Sequence, residues 1–461
     1  MMAIVADTDQ AQPPLLGLRA GVGGATSAGV SRLPVTDRKV MLVNIDREIR
    51  RGTLMAADSD TISAAARSAL SQRIPLVVVL ASSGADVVEG MPSLDGWGRA
   101  AKALTECSGI IPVAIVAYGL AVSGPALLLG MADAVVMTGE AVAYVSGPAA
   151  VAQLTGLRLA PDELGGQRVH ARSSGVATLV AEDVPSALEV VAGFFDYLPD
   201  HADQEPPVVP SGDPPDRPNP ELRDLLPLSA TGSYDVRQAM ASIADDGELL
   251  ELRAGWAPQL VTALCRVEGR TVGVLANQPQ SMAGTLDIAA SQKGARFVNL
   301  CDSFNVPLLT MVDTPGFMPG KDLEWRGMIR HGAQLVFAYA EATVPRVCLI
   351  MRKAYGGAYI VMDSKGMGND LCLAWPSAQV AVMGAQGAVQ ILHRREDSET
   401  QARLADEYEE EYLNPYVAAA RGFVDQVIDP ADTRKVIAAS LRMLSTKRER
   451  IVARKHGNGP L

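Results

Sequence analysis

The stretch VPRVCLIMRKAYGGAYIVMD, residues 344–363, contains a strand, a turn and the start of a helix. Pro345 heads an apolar run, Val347 to Met351, that reads as a buried strand. Arg352-Lys353-Ala354-Tyr355 closes it, Gly356-Gly357-Ala358 turns, and the following apolar residues open a helix. Adjacent glycines at such a turn allow a tight bend and close approach by a ligand, with backbone N–H groups facing it. A plain connecting turn with no ligand fits the same residues, so the rest of the chain must choose.

Working outward, one design occurs twice. Pro307 and Pro345 start strands 38 residues apart, and Gly384 lies 77 residues after Pro307. In the first half Pro75 and Pro112 start strands 37 residues apart, and Gly147 lies 72 residues after Pro75. Ser123-Gly124 follows the Pro112 strand as Gly356-Gly357 follows the Pro345 strand, and SGPAAVAQL at 146–154 matches MGAQGAVQIL at 383–392. The duplication predicts two related ligand-facing turns.

Strands are expected at 39–45, 74–80, 111–116 and 134–137, and helices near 60–72, capped by Asp58 or Asp60, and near 95–107. Their alternation implies βαβ crossovers and an α/β class. Residues 1–33, rich in Ala, Gly and Pro, read as a flexible arm, and 34–198 as a first domain. Residues 199–230 read as a linker, since 199–227 carries nine prolines in 29 positions, and 231–461 as a second domain. The end of the chain, with Lys447, Arg448 and Arg450, reads as a solvated charged helix end.

A chain of 461 residues suits two domains of about 200 residues each. Its 48% hydrophobic and 20% charged residues are a soluble globular mix. A net charge of −11 argues against nucleic-acid binding through phosphate contacts. The five cysteines (107, 265, 301, 348, 372) stand singly, as reduced thiols do, and no signal peptide or apolar membrane span is read, so a cytoplasmic place is expected.

Side-chain catalysis finds little support. The five histidines are scattered without metal-binding spacing, so no metal is expected, and there is neither a GxSxG elbow nor a GxxxxGK[ST] loop. Asp313-Thr314-Pro315-Gly316 matches a nucleotide-switch DxxG but has no phosphate-loop partner. What remains are two backbone turns able to stabilise oxyanions.

From about residue 231 to 445 the chain resembles the carboxyltransferase (beta) subunit of biotin-dependent acyl-CoA carboxylases, the acetyl-/propionyl-CoA carboxylase family. The likeness runs through YDVRQAMASIADDGELLEL, VEGRTVGVLANQP, FVNLCDSFNVPLLTMVDTPGFMPG, MIRHGAQLVFAYAEATVPRVCLIMRKAYGGAYIVM, LAWPSAQVAVMGAQGAVQIL and NPYVAAARGFVDQVIDP. The first half is similar through SGPAAVAQLTG, DELGGQRVHARSSGVATLVAED and the placement of the 118–124 turn.

The resemblance implies a duplicated crotonase-like (ClpP/crotonase) β-β-α superhelix, with acyl-CoA on the N-terminal domain and biotin on the C-terminal one. Active sites would lie between protomers of a homo-hexamer built as a trimer of dimers. It implies transfer of a carboxyl group from carboxybiotin to the α-carbon of a short acyl-CoA such as acetyl- or propionyl-CoA, in fatty acid or polyketide biosynthesis. Biotin would arrive on a separate carrier protein, charged by a biotin carboxylase, because no biotinylation motif is present here. Carried onto this chain, Gly357 and Ala358 N–H groups would hold the ureido oxygen, with Tyr355 and Gly356 beside them. Ser123 and Gly124 N–H groups would hold the thioester oxygen, with Ser83, Gly84, Ala85 and Gly119 on the acyl-CoA side. Ile360 occupies the position linked to acyl-chain selection and resembles the acetyl-utilising type.

The first half departs from the family's pattern. Where relatives read like DSGGAR then IQEG, this chain has Ala81-Ser82-Ser83-Gly84-Ala85-Asp86 and Val87-Val88-Glu89-Gly90, an arginine-to-aspartate reversal of charge. Where they read like GPCAGG, it has Gly119-Leu120-Ala121-Val122-Ser123-Gly124. Two further readings stay open on that ground: a carboxyltransferase or decarboxylase for an unusual or carrier-protein-tethered acyl thioester, and a non-catalytic structural subunit.

Overall fold

A computed structural model describes residues 24–229, 231–447 and 449–460. The chain divides into two compact units, residues 1–207 and 208–461. The first holds a seven-stranded sheet of β1 (Thr26–Arg32), β2 (Lys39–Ile45), β3 (Leu76–Ser82), β4 (Val113–Val122), β5 (Ala134–Met137), β6 (Val142–Tyr144) and β7 (Leu179–Val180). Its order is β1-β2-β3-β4-β5-β7, with β6 paired to the end of β4. All pairings are parallel except β1 against β2.

The second unit repeats the plan with β8 (Leu250–Glu251), β9 (Leu260–Val267), β10 (Arg270–Asn277), β11 (Leu308–Thr314), β12 (Arg346–Tyr355), β13 (Leu371–Ala374), β14 (Gln379–Ala381) and β15 (Gln426–Val427). The order β9-β10-β11-β12-β13-β15, with β14 on the end of β12, matches the first sheet strand for strand, and β8 is an extra edge. This is a duplicated crotonase-like fold.

The proline landmarks mark the sheet register. Pro75, Pro112, Pro307 and Pro345 each precede a buried strand, where the missing N–H leaves no donor unpaired. Each carbonyl is used: it accepts, at 2.9 Å, from Met41, Leu76, Gly273 and Leu308 respectively. The strands between read as continuous Val/Leu/Ile runs because both faces are covered. In the first unit helices Ala56–Gln72 and Met91–Cys107 pack on one core with β2 to β5. In the second, helices Val236–Ile243 and Thr433–Leu444 pack a core that includes the fully buried Trp375. Among the described residues no helix is long and apolar enough to cross a membrane.

Several expectations need correction. Of the arm expected over 1–33, residues 1–23 lie outside the described residues, and Thr26–Arg32 is strand β1, paired from Thr26↔Ile45 to Arg32↔Lys39. Its residues, TSAGVSR, are small or polar on an edge and show no clear period. Asp58 sits in the third position of helix Ala56–Gln72 rather than capping it, and accepts from Met55 and Thr26 N–H, both at 2.9 Å. Within the expected linker, residues from 208 on are built into the second unit. Val209 N–H donates to Gly269 (2.9 Å), Asn219 N–H to Ala431 (2.8 Å), and the fully buried Arg434 to the carbonyl of Pro214 (3.0 Å) and to Asp245 (2.6 Å). Proline there fixes a path along a surface instead of freeing one. Lys447 is likewise not a solvated end: its ammonium donates to Val344 O at 3.2 Å and Asp370 at 3.0 Å.

Candidate active site

Two turns, each at the end of the longest strand of its sheet, hold the expected site residues. β4 and β12 both run for 10 residues and both end on a left-handed residue, Ser123 (φ 61°) and Gly356 (φ 60°). The loops beside them agree as well. Gly84 N–H leans on Ser82 Oγ (3.2 Å) as Gly316 N–H leans on Thr314 Oγ1 (3.4 Å), and Leu54↔Ala85 bridges as Leu286↔Phe317 does. The backbone therefore sets Ser123 against Gly356, Gly124 against Gly357, and Pro125 against Ala358.

Hydrogen bonding within that register changes which donors the first turn offers. Ser123 N–H donates to the Tyr144 carbonyl at 3.0 Å, so this expected donor is held inside the fold. Pro125, opposite Ala358, has no N–H. Gly124 N–H remains, in the first turn of helix Gly124–Leu127, where N–H groups have no intrahelical acceptor. A side chain at Gly124 is barred, because a Cβ would stand 2.5 Å from the Trp97 ring. Gly124→Ala is expected to displace the turn and lower turnover about tenfold to a hundredfold, with Trp97→Leu in the same chain restoring part of it. Steady-state rates of the single and double variants check this, and a single variant with wild-type turnover would remove Gly124 from the site.

An open cleft of about 640 Å³ lies along this turn, lined among others by Arg51, Ser83, Ala85, Leu120, Val122 and Tyr144. A smaller one of about 280 Å³ shares Arg51 and Leu120 with it and adds Arg47 and Gly119. Gly119 (φ 67°) makes room for Arg47, whose Nη1 is 3.2 Å from where a Cβ would be. Gly84 (φ 113°) lies close to Ser123, 3.8 Å from a built Cβ to Ser123 Cβ. The sequence-predicted acyl-side residues are thus brought together. The reversed charge stays at the larger cleft, which Asp86 lines, and its Oδ1 accepts from Val88 N–H (2.8 Å) and Glu89 N–H (2.9 Å), capping the turn. Arg47 and Arg51 were not anticipated, although the run DREIRR at 46–51 carries them in plain view.

In the second unit Gly356 is tight, with a Cβ only 3.1 Å from Val382 O. Gly357 is exposed and open, its Cβ meeting just the Phe317 ring at 3.6 Å, while Ala358 is buried. Tyr355 hydrogen-bonds Gln379, which donates to Glu409 at 2.6 Å, and burial, followed by Glu409, pushes its phenol up to about 12. Ile360 is half exposed on helix Gly356–Val361.

Behind this turn lies a charged cluster. Asp313 accepts from Arg352 Nε (3.0 Å), Tyr234 OH (2.9 Å) and Lys353 N–H (3.1 Å). Arg352 also donates to the Gly232 carbonyl (2.8 Å) and lies over the Tyr234 ring at 5.3 Å. Burial raises the Asp313 carboxyl above the usual range in spite of the arginine. The DxxG-like residues are therefore a buried support and not a nucleotide switch.

The carboxyl transferase domain model matches residues 34–459. The methylmalonyl-CoA carboxyltransferase 12S subunit of Propionibacterium freudenreichii subsp. shermanii is 41% identical over 453 residues, 97% of this chain and 86% of that protein. The propionyl-CoA carboxylase beta chain of Saccharopolyspora erythraea is 42% identical over 446 residues, 93% of this chain and 82% of its own. The crystal structure of transcarboxylase 12S, a hexamer with methylmalonyl-CoA and methylmalonic acid bound, superposes with a TM-score of 0.92 at 41% identity over 95% of this chain and 85% of that one.

Proposed function

The chain belongs to the carboxyl transferase family, as a carboxyltransferase (beta) subunit of biotin-dependent acyl-CoA carboxylases, and from that premise we propose that it moves a carboxyl group between biotin on a separate carrier and the α-carbon of a short acyl-CoA. The observation that carries this reading is the near-complete match to the 12S subunit, which binds methylmalonyl-CoA. The biotin carboxylase and the carrier are proposed as separate partner chains, and a hexamer as the assembly. Acetyl-, propionyl- and methylmalonyl-CoA are the first substrates to try.

Biotin, when bound, supplies the carboxyl group and a basic ureido nitrogen. The chain supplies placement and dipoles. Gly357 and Ala358 N–H groups would donate to the ureido oxygen, and Gly124 N–H to the thioester oxygen as negative charge develops on it. Ser83 and Ala85 would line the acyl side, and Ile360 the acyl pocket, where one methylene is worth about 1–3 kcal/mol. No titratable side chain is asked to move a proton.

The departures in the first unit favour one second reading. With Ser123 N–H engaged and proline in place of a second donor, the thioester oxygen has fewer backbone donors than the duplicated turn would offer, which suits an unusual or carrier-tethered acyl thioester or a decarboxylase. Carboxybiotin consumption with a panel of acyl thioesters decides. Malonyl-type products from acetyl- or propionyl-CoA are expected, and turnover confined to other thioesters would favour the second reading. No turnover with any thioester would favour a structural subunit.

A further inference from the structure

The segment after the second strand of each frame is where the two units differ most in charge. Residues 46–54 (DREIRRGTL) and 278–286 (QPQSMAGTL) trace the same path. Ile49 and Ser281 N–H donate to Asp46 O (3.3 Å) and Gln278 O (3.0 Å), Gly52 and Gly284 N–H to Ile49 O and Ser281 O (both 2.9 Å), and Thr53 and Thr285 N–H to Arg50 O and Met282 O (both 3.1 Å). The dihedrals agree too: φ is 50° at Arg50 and 46° at Met282, 58° at Arg51 and 54° at Ala283. On one backbone form the second unit carries Pro279, Met282 and Ala283, and the first carries Arg47, Arg50 and Arg51.

Two of the three guanidiniums are engaged. Arg50 pairs with Asp58 at 3.3 Å, and Arg47 pairs with Glu140 at 2.7 Å while lying over the Tyr118 ring at 5.3 Å. Arg51 meets no carboxylate among the described residues, on a chain with eleven more acidic than basic residues. It holds a left-handed conformation that L residues rarely adopt, and its carbonyl accepts from Ser83 N–H at 3.3 Å, which ties it to the 83–85 loop. Arg51 lines both clefts of the acyl side, the larger together with Asp86 and the smaller together with Arg47 and Glu48, which pairs with Arg47 at 3.6 Å. An unpaired guanidinium over a cleft is suited to bind an oxyanion through a fork of N–H donors.

We propose that Arg51, with Arg47 beside it, is the anion site of the first unit and grips a phosphate group of the CoA thioester. The inference rests on the acyl-CoA reading above and adds where the ligand's charge is held, given that Asp86 brings none of the right sign. A carboxylate at the far end of an acyl chain offers the same chemistry, so the test separates the two sources.

Arg51→Ala is compared with the unmodified chain using acetyl-CoA, succinyl-CoA and S-acetyl-N-acetylcysteamine, which has the thioester but no phosphate. Binding of free CoA is measured by calorimetry, without turnover. The expected result is a tenfold or greater rise in both the KM for acetyl-CoA and the Kd for CoA, with the cysteamine thioester changed less than twofold. Arg51→Gly, which relieves the left-handed backbone, is expected to lose CoA binding to the same extent with no fall in Tm. Equal losses on both acetyl thioesters, unchanged CoA binding, or a loss confined to succinyl-CoA would each overturn the assignment. An unmodified chain that binds CoA through Arg51 yet turns over no thioester would count against the proposed reaction and leave the anion site standing.

Discussion

Gly357→Val is expected to cut turnover about a thousandfold while moving Tm by no more than about 2 °C. Loss of one preorganised oxyanion donor lowers kcat by about 10²–10³, and a branched side chain here would cover two proposed donors, the N–H groups of Gly357 and Ala358. The fold has no quarrel with the change. Gly357 is not among the left-handed glycines, and a Cβ there meets only the Phe317 ring, at an ordinary 3.6 Å. Its neighbour is the contrast that gives the test its force. Gly356 has φ 60° and would bring a Cβ to 3.1 Å from Val382 O, so Gly356→Val should lose stability and activity together. Thermal unfolding and carboxybiotin-dependent turnover, read on both variants, separate a blocked site from a damaged fold. Gly357→Val with normal Tm and turnover within tenfold of the unmodified chain would put the ureido donors elsewhere.

Much of the frame was legible because buried parallel strands announce themselves. Val/Leu/Ile runs headed by Pro75, Pro112, Pro307 and Pro345 give strand identity, and the spacing of those prolines gives the repeat. The details of the first turn were not legible, for a reason of backbone geometry. The letters and φ both set Ser123 against Gly356, but the donor roles implied by the resemblance, Ser123-Gly124 in one turn and Gly357-Ala358 in the other, are one residue out of that register. Nothing in a serine codon position signals a left-handed residue, and only the Tyr144 carbonyl reveals that its N–H is taken. Arg51 is visible in the letters, and Gly-Thr-Leu at 52–54 and 284–286 even sets it against Ala283, but its place beside the 83–85 loop appears only from the hydrogen bond that its carbonyl accepts from Ser83 N–H. Strand β1 escaped because small polar residues on an edge carry no period. In each case what was missed is a conformation or a pairing, and what was read is a burial pattern.

Arg352→Met is expected to destabilise the second unit by about 3–5 kcal/mol, the usual result of removing one partner of a buried ion pair. The arginine side chain is 11% exposed and Asp313 1%, so neither group has water to fall back on. Methionine would leave the Gly232 carbonyl without its 2.8 Å donor and end the contact with the Tyr234 ring, worth about 0.5–2 kcal/mol more. Asp313 would keep Tyr234 OH, Lys353 N–H and the weaker pull of the Lys353 charge but lose its ion-pair partner and largest counter-charge. Its carboxyl already titrates above the usual range because of burial, with Arg352 as the largest opposing influence. Removing Arg352 raises it further. A raised carboxyl favours the folded state fully below the unfolded value of about 4 and loses that advantage as pH rises through the folded value. The deficit of the variant should therefore be larger at pH 8 than at pH 5, as denaturant unfolding at the two pH values would show. Asp313→Asn in the same chain removes the stranded charge and should recover part of the loss at pH 8 and little at pH 5. A deficit equal at both pH values would mean that lost packing, not the unpaired carboxylate, sets the cost, and the cluster behind Gly356-Gly357 would then be a filler of space instead of an electrostatic brace.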